Sequence, residues 1–203
     1  MDFPSSSLRP REAYELLTSL IVPRPIAWVT TMNAAGETNL APFSYFQGLA
    51  SDPPLVTIAI SDRKGGTPKD TLRLARESGG LCIHLVEEPD LARMNATSAD
   101  YPPGTSEIDA LHIETVPCTA IPGRRVTSAR AALECRLVDV HRYGQGTQVN
   151  LVVAQVVHFH VHDSLLDGTE KRASPHAIQP VSRLGGAFYA QLGERIALER
   201  PKL

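Results

Sequence analysis

Between Val22 and Ile60 the chain passes from one extended segment to the next with only turns between them, and that succession limits the fold more than any other feature. Val22-Pro-Arg-Pro25 cannot be helical, because each proline pushes the residue before it into extended geometry. Ile26 to Met32 is β-branched and aromatic, as a strand requires, and Asn33-Ala-Ala-Gly36 is a turn in which Gly36 can take positive φ. Together they predict a hairpin whose returning strand runs from Glu37 to about Leu49, with Pro42 marking an edge, a bulge or a kink. After a turn at Asp52-Pro-Pro54, the apolar run Leu55 to Ile60 reads as a third strand, buried on both faces. A doubly wound sheet needs a helix between successive strands, and that alternation is missing.

Around this β stretch the helical signals are few. Pro10 can open a short helix through Leu17, with Tyr14, Leu17 and Ile21 on one side. Asp62 to Lys69 is a loop leading into a helix over Asp70 to Ser78, which Gly79-Gly80 stops. Leu81 to Val86 resumes as a strand, and Pro89 to Thr97 reads as a further helix with proline in its first turn. From Ser98 to Arg125 no period holds, which predicts an excursion of loop and short helix of the kind that is often functional. Ala131 to Arg142 alternates, with Leu133, Cys135, Leu137 and Asp139 on one side, and Gln148 to His162 is expected to be the longest strand. The expectation is one mainly β domain over residues 1–203 with a few helices and a loop-rich insert at about 98–125, its antiparallel strands closed or nearly closed into a barrel.

Composition removes several function classes. With 203 residues, 42% of them hydrophobic, the chain can bury a core without staples. Lys and Arg total 20 against 22 Asp and Glu, so it lacks the basic field that nucleic acid or an anionic membrane would require. Cys82, Cys118 and Cys135 are widely spaced and form neither a disulfide framework nor a zinc knuckle. No run approaches the ~18 apolar residues of a membrane span, and the N-terminus has no leader pattern. These features predict an unprocessed cytoplasmic protein with no nucleic-acid or membrane partner.

Three segments could carry chemistry. In Gly65-Gly-Thr-Pro-Lys-Asp-Thr71, Thr67 can cap a helix, Pro68 can begin it and Asp70 can complete a capping box. The free amides of that start, with Lys69 and the Thr71 hydroxyl, describe a phosphate or anion site; a capped surface helix with a solvated lysine is the alternative. In Asn39-Leu-Ala-Pro-Phe-Ser44 a proline interrupts a strand, which either frees backbone groups for a ligand or guards an edge. His158, His160 and His162 alternate onto one strand face, but same-face residues lie roughly 6.5 to 7 Å apart, a wide span for three ligands on one ion. No carboxylate in the sequence nearby completes the set, with Asp163 on the opposite face, and no metal is assigned. No GxSxG or GxGxxG is present, so no catalytic nucleophile and no Rossmann site is expected, and Cys82 and Cys135 read as core residues.

Taken in order, PRPIAWVTT (23–31), NLAPFSYFQ (39–47), SDPPLVTIAI (51–60), PKDTLRL (68–74), LVVAQVVHFHVHD (151–163) and PVSRLGGAFYA (180–190) resemble the flavin reductase-like, FMN-binding split β-barrel family. The resemblance covers about residues 11 to 200. It implies a Greek-key-like antiparallel split barrel, a homodimer, and FMN held without a covalent bond near the subunit interface. It implies that Ser44, Lys69 and Thr71 hold the FMN phosphate, with Asp70 also among the cofactor-binding residues. Asn39, Ala41 and Pro42 would lie along the flavin, Thr30 and Thr31 would end a strand near its ring, and Arg183, Gly186 and Tyr189 would approach the isoalloxazine.

The activity implied is that of an NAD(P)H-dependent flavin reductase-like oxidoreductase, with NADH or NADPH reducing a bound or exchanging FMN and an oxygenase or electron-transfer protein as partner. The flavin would carry the chemistry, so no acid or base is expected. An FMN-binding electron carrier without nicotinamide activity is the alternative. A pyridoxamine phosphate oxidase-like enzyme, with Arg124-Arg125 at a second phosphate site, is a third reading. The insert at 98–125 would cover the flavin's open face.

Overall fold

The structure, a computed structural model, describes residues 1–168 and 170–202. Its main strands are β1 (Ala27–Met32), β2 (Thr38–Phe43), β3 (Phe46–Ser51), β4 (Pro54–Ser61), β5 (Gly80–His84), β6 (Ala131–Tyr143) and β7 (Val149–Val161). The helices are α1 (Pro10–Leu20), α2 (Asp70–Ser78), α3 (Leu91–Ala96) and the short α4 (Glu107–Ala110). The seven strands form one antiparallel sheet in the order β2-β1-β5-β6-β7-β4-β3. A flat sheet of that width would hold its end strands roughly 29 Å apart. Yet β2 and β3 are separated only by Ser44 and Tyr45, a link that reaches at most about 11 Å. The sheet must therefore curl until its two edges approach, and the product is a split barrel.

The predicted returning strand is thus two strands. It breaks at Ser44-Tyr45, and its halves lie at opposite ends of the sheet order. Pro42 sits on the edge strand β2, paired only with Trp28 of β1, so no ladder amide is missed on the open side. The Asn33 turn forms as read: its side-chain carbonyl accepts from the Ala35 and Glu37 amides, and Gly36 adopts φ +83°.

Alternation decides what faces the barrel interior. Ala27 and Val29 of β1, Phe43 of β2, Ile58 of β4 and Val152 of β7 pack inside, with Leu72 of α2 as the plug. On the other face of β1 and β2, Ile26, Trp28 and Leu40 pack against Met94 of α3 and against Ile108, Ile113 and Val126 of the insert. The insert is therefore packed against the wall. It carries α4 and a small ribbon that pairs Thr115–Pro117 with Arg124–Val126, and Glu134 of β6 pins it by accepting the Thr119 and Ala120 amides at 2.7 and 2.6 Å. Burial alone would push the Glu134 carboxyl up, but these amides and His160 outweigh it and hold it below the usual range.

The alternation along β6 fails at one point. A bulge at Val138 shifts the register between the Val153–Asp139 and Ala154–Leu137 pairs. Val140, and not Asp139, then packs against the core, and Asp139 is exposed. Strand β7 has 13 residues, as does β6, so it is not the longest alone. The expected helix over Pro89 to Thr97 is a 3-10 turn at Glu88–Asp90 followed by α3. Among the described residues no helix is long and apolar enough to cross a membrane.

Candidate functional site

Helix α2 spans Asp70–Ser78 as the sequence predicts, but its cap differs from the sequence reading. Thr67 does not cap the helix, because its carbonyl accepts the Arg63 amide at 2.8 Å and closes the loop, with Gly65 and Gly66 at positive φ. Lys69 is extended, with ψ 153°, and occupies the cap position without a side-chain cap bond, so the helix begins at Asp70. Its first amides are left without intrahelical acceptors. Asp70 engages Arg63 at 2.7 Å and Arg73 at 2.9 Å, which fastens the loop to the helix. The Lys69 ammonium lies 5.8 Å from the Phe43 ring centroid.

Opposite this start lies β2. Asn39 and Thr71 are both buried, and the Thr71 hydroxyl donates to the Asn39 side-chain carbonyl. The Asn39 amide nitrogen donates to both carboxylate oxygens of Glu107 in α4, at 2.9 and 2.8 Å, and the Leu40 amide donates to Glu107 Oε2 at 2.8 Å. Burial pushes the Glu107 carboxyl above its ordinary range. A cavity of about 70 Å³ opens here, walled by Asn39, Ala41, Pro42, Lys69, Asp70 and Thr71, and also by Arg63, Glu107 and residues 97–101.

Past Pro42 the groove widens into a cavity of about 210 Å³ with Ser44, Arg183 and Tyr189 in its wall. It adjoins an open cavity of about 1000 Å³ that reaches Gly186 and Phe188. The Tyr189 ring is held from two sides: Arg183 stacks 4.4 Å from its centroid, and its hydroxyl donates to Asn95 at 2.9 Å. Arg24 is buried and acts as the knot beneath. It donates to the Thr18, Ile21 and Leu184 carbonyls and, from Nε at 3.3 Å, to Ser44 Oγ.

The groove gathers ten of the residues singled out in the sequence, from Lys69 at the narrow end to Gly186 at the open one. Ser44 lies on the far side of Pro42 from Lys69 and Thr71. Thr30 and Thr31 stand apart from the groove: the Thr30 hydroxyl donates to the Arg124 carbonyl at 2.5 Å, and Thr31 Oγ1 is buried without a hydrogen-bond partner among the described residues. Sequence reading missed Arg24, Arg63, Asn95 and Glu107. For Glu107 a Ser106-x-x-Asp109 cap announces the helix, since Ser106 Oγ accepts the Asp109 amide, but nothing local announces Asn39 as its partner.

Elsewhere, Arg124 donates to Thr115 within the ribbon and is not in the groove. A carboxylate does reach the histidine strand: His160 Nε2 meets Glu134 at 2.5 Å, while His158 and His160 rings approach to 4.5 Å. Among the described residues no group of three His, Cys, Asp or Glu side chains could hold a metal ion. Cys82 and Cys135 are buried; hydrogen bonding to Cys118 and burial raise the Cys82 thiol, and burial pushes Cys135 up to about 12.

With the barrel and the groove described, the family follows. Residues 19–175 match the model of the flavin reductase like domain, and the chain belongs to that family. It is 35% identical over 206 residues to protein BH2278 of Halalkalibacterium halodurans, covering all of this chain and 98% of that one. Two solved structures are similar over nearly their whole length. Nitrilotriacetate monooxygenase component B from Bacillus cereus is 34% identical with a TM-score of 0.92, covering 98% of each chain. The 2-nitrobenzoate 2-nitroreductase NbaA of Pseudomonas fluorescens is 32% identical with a TM-score of 0.89, covering 99% of this chain and 96% of the other.

Proposed function

We propose that the groove holds FMN and that the chain is an NAD(P)H-dependent oxidoreductase of flavin reductase type. The observation that carries this reading is the groove's polarity. One end is a cavity too small for a ring system, lined by the cations Lys69 and Arg63 and by the first turn of α2, with the carboxyl groups of Asp70, Asp100 and Glu107 in the same wall. The other end is wide and presents a tyrosine ring locked between Arg183 and Asn95. A phosphate at a helix start and an aromatic system beside a fixed ring are what FMN requires.

On this reading Lys69 and Arg63 neutralise the phosphate, with Asp70 holding Arg63 in place. Pro42 presents an edge with no amide to compete for a ladder partner, and Asn39 and Ala41 line the path between the two ends. Ser44, tied to Arg24, belongs to the ring half. Bound FMN supplies the hydride and electron chemistry, so the protein's own work is binding, orientation and tuning. The open cavity bordered by Tyr14, Arg183 and Phe188 gives NADH or NADPH a way in. The likeness to a monooxygenase component B supports an oxygenase as the acceptor's user, and a homodimer in the cytoplasm completes the proposal.

The test is the visible spectrum of the protein after FMN loading and desalting, followed anaerobically with NADH and with NADPH. Retained flavin bands that bleach within seconds are expected; bands that persist under both donors would reduce the protein to an electron carrier. Replacing Lys69 by alanine is expected to weaken FMN binding about 10-fold to 100-fold, the worth of one charge-assisted hydrogen bond, and to leave riboflavin binding unchanged. Equal losses for both ligands would move the phosphate elsewhere.

A further inference from the structure

The hydrogen bonds around Asn39 have a direction, and it opposes anion binding. Glu107 accepts three bonds and donates none, as an ionised carboxylate must. That fixes the Asn39 amide with its nitrogen toward Glu107 and its oxygen toward Thr71. The single Thr71 proton is consequently spent on Asn39. Toward the cavity Thr71 can offer lone pairs only, and a phosphate oxygen would be repelled by them.

We propose that Glu107 is a proton switch for this site: one proton from solvent, taken up on Glu107 Oε1, lets the Asn39 amide turn over and frees the Thr71 hydroxyl to donate to a bound phosphate. This rests on the flavin reading for the identity of the phosphate carrier, although the switch itself concerns the anion alone. In the turned state the neutral carboxyl donates to Asn39 Oδ1, Asn39 Nδ2 donates to Thr71 Oγ1, and the Thr71 O–H points into the cavity. Leu40 N–H still bonds Glu107 Oε2, so every buried group keeps a partner. The step moves one proton and turns one amide and one hydroxyl. No covalent bond between heavy atoms forms or breaks.

The surroundings favour such a switch. Glu107 is 6% exposed, and burial holds its carboxyl above the usual range; the Asp70 charge adds to this, while the Leu40 amide, the Glu107 backbone amide and Asn39 oppose it. The other titratable and charged groups on the same cavity are Arg63 and Lys69 before α2, and Asp100 and Tyr101 of the insert. Arg63, held by Asp70, and Lys69 are the two cations on this cavity. Glu107→Gln mimics the protonated state, since its amide nitrogen can donate to Asn39 Oδ1 while its oxygen still accepts from Leu40.

The experiment measures FMN affinity of the wild type and of Glu107→Gln by fluorescence quenching from about pH 5 to about pH 9, with protons counted calorimetrically in two buffers of different ionisation enthalpy. The wild type should take up one proton per FMN and lose affinity by up to about tenfold per pH unit above the Glu107 titration, the limit for one linked proton. E107Q should bind with the wild type's low-pH affinity throughout and take up none at Glu107. The FMN phosphate itself titrates near about pH 6, but it does so in both proteins and cancels in the comparison. Thr71→Val should bind FMN weakly at all pH values, and riboflavin should show no Glu107-dependent slope. Equal pH profiles for wild type and E107Q would overturn the switch and leave the flavin reading standing. FMN binding to no variant at any pH, with all folded, would remove the flavin reading. Inorganic phosphate, read by its shift of the thermal midpoint in wild type and E107Q, would then decide the switch by the same comparison.

Discussion

Arg24→Met is expected to lower the free energy of unfolding by about 3 kcal/mol and the thermal midpoint by roughly 6 to 12 °C. Methionine keeps most of the aliphatic stem, so the loss comes from the guanidinium. That group closes the Thr18 and Ile21 carbonyls at the end of α1 and the Leu184 carbonyl 160 residues away. Removing it leaves three carbonyls in a largely covered site with no donor, at about 1 to 3 kcal/mol for each that water cannot reach. Arg24→Lys should fall between wild type and methionine, since one ammonium cannot reproduce a planar fork that serves three carbonyls and Ser44. Thermal unfolding followed by circular dichroism checks the size of the effect. Limited proteolysis checks its place, with cleavage expected first near residues 182–190 and in α1. A midpoint within about 2 °C of wild type would mean that the knot is replaced by water.

Most of the barrel can be read from the chain because its signals are local. The Asn33 turn, the edge proline Pro42 and the Gly79 stop at φ +73° are each decided within a few residues. The errors arise where a distant group decides. NLAPFSYFQ carries no glycine to announce a corner at Ser44-Tyr45; the break follows from closing the sheet, which needs both edges at once. The helix over Asp70–Ser78 is where the sequence puts it, but Thr67 does not cap it: the Arg63 amide engages the Thr67 carbonyl within the loop, and Lys69 takes the cap position. Asp139 falls on the core side of an ideal strand, and the bulge at Val138 replaces it with Val140.

The site divides in the same way. Lys69, Thr71 and Asn39 belong to short motifs whose chemistry is visible, and the groove brings them together. Glu107 and Arg24 are as closely engaged, yet their partners lie 68 and up to 160 residues away. A buried carboxylate and a buried guanidinium look in sequence like any surface charge. Only the fold shows that one orients Asn39 and the other ties the Arg183 segment to α1.

Between about pH 6.5 and about pH 4.5 the protein is expected to lose stability through His84, with a total of about 3 kcal/mol lost by about pH 4. His84 is fully buried; Nδ1 lies 2.8 Å from the Trp28 carbonyl and must donate to it, so Nε2 accepts the Val126 amide at 3.0 Å. Burial lowers its pKa to about 4 from the ordinary 6.5, with Arg125 and His160 adding to the effect and the Trp28 carbonyl opposing it. The unfolded chain therefore binds the proton first. Stability is fully present above 6.5, falls as pH drops through the interval, and stops falling on this account below 4, where both states are charged. Carboxylates held low, such as Glu87 and Glu134, add their own loss only below the ordinary 4.5. Urea unfolding at closely spaced pH values should show the decline in wild type and little of it in His84→Gln, which is expected to be less stable at neutral pH but flatter. Glu107, held above its ordinary range, adds stability as the pH falls and works against this loss. The difference between the two proteins is therefore decisive: parallel wild-type and His84→Gln curves from about pH 6.5 to about pH 4.5 would refute the assignment. Protonation also turns Nε2 into a donor facing the Val126 N–H, so the ribbon that holds the insert against β1 is the part that should open. Hydrogen exchange at Val126 should accelerate at pH 5 relative to the interior amides of β7, after correction for the intrinsic rate, before the barrel itself unfolds.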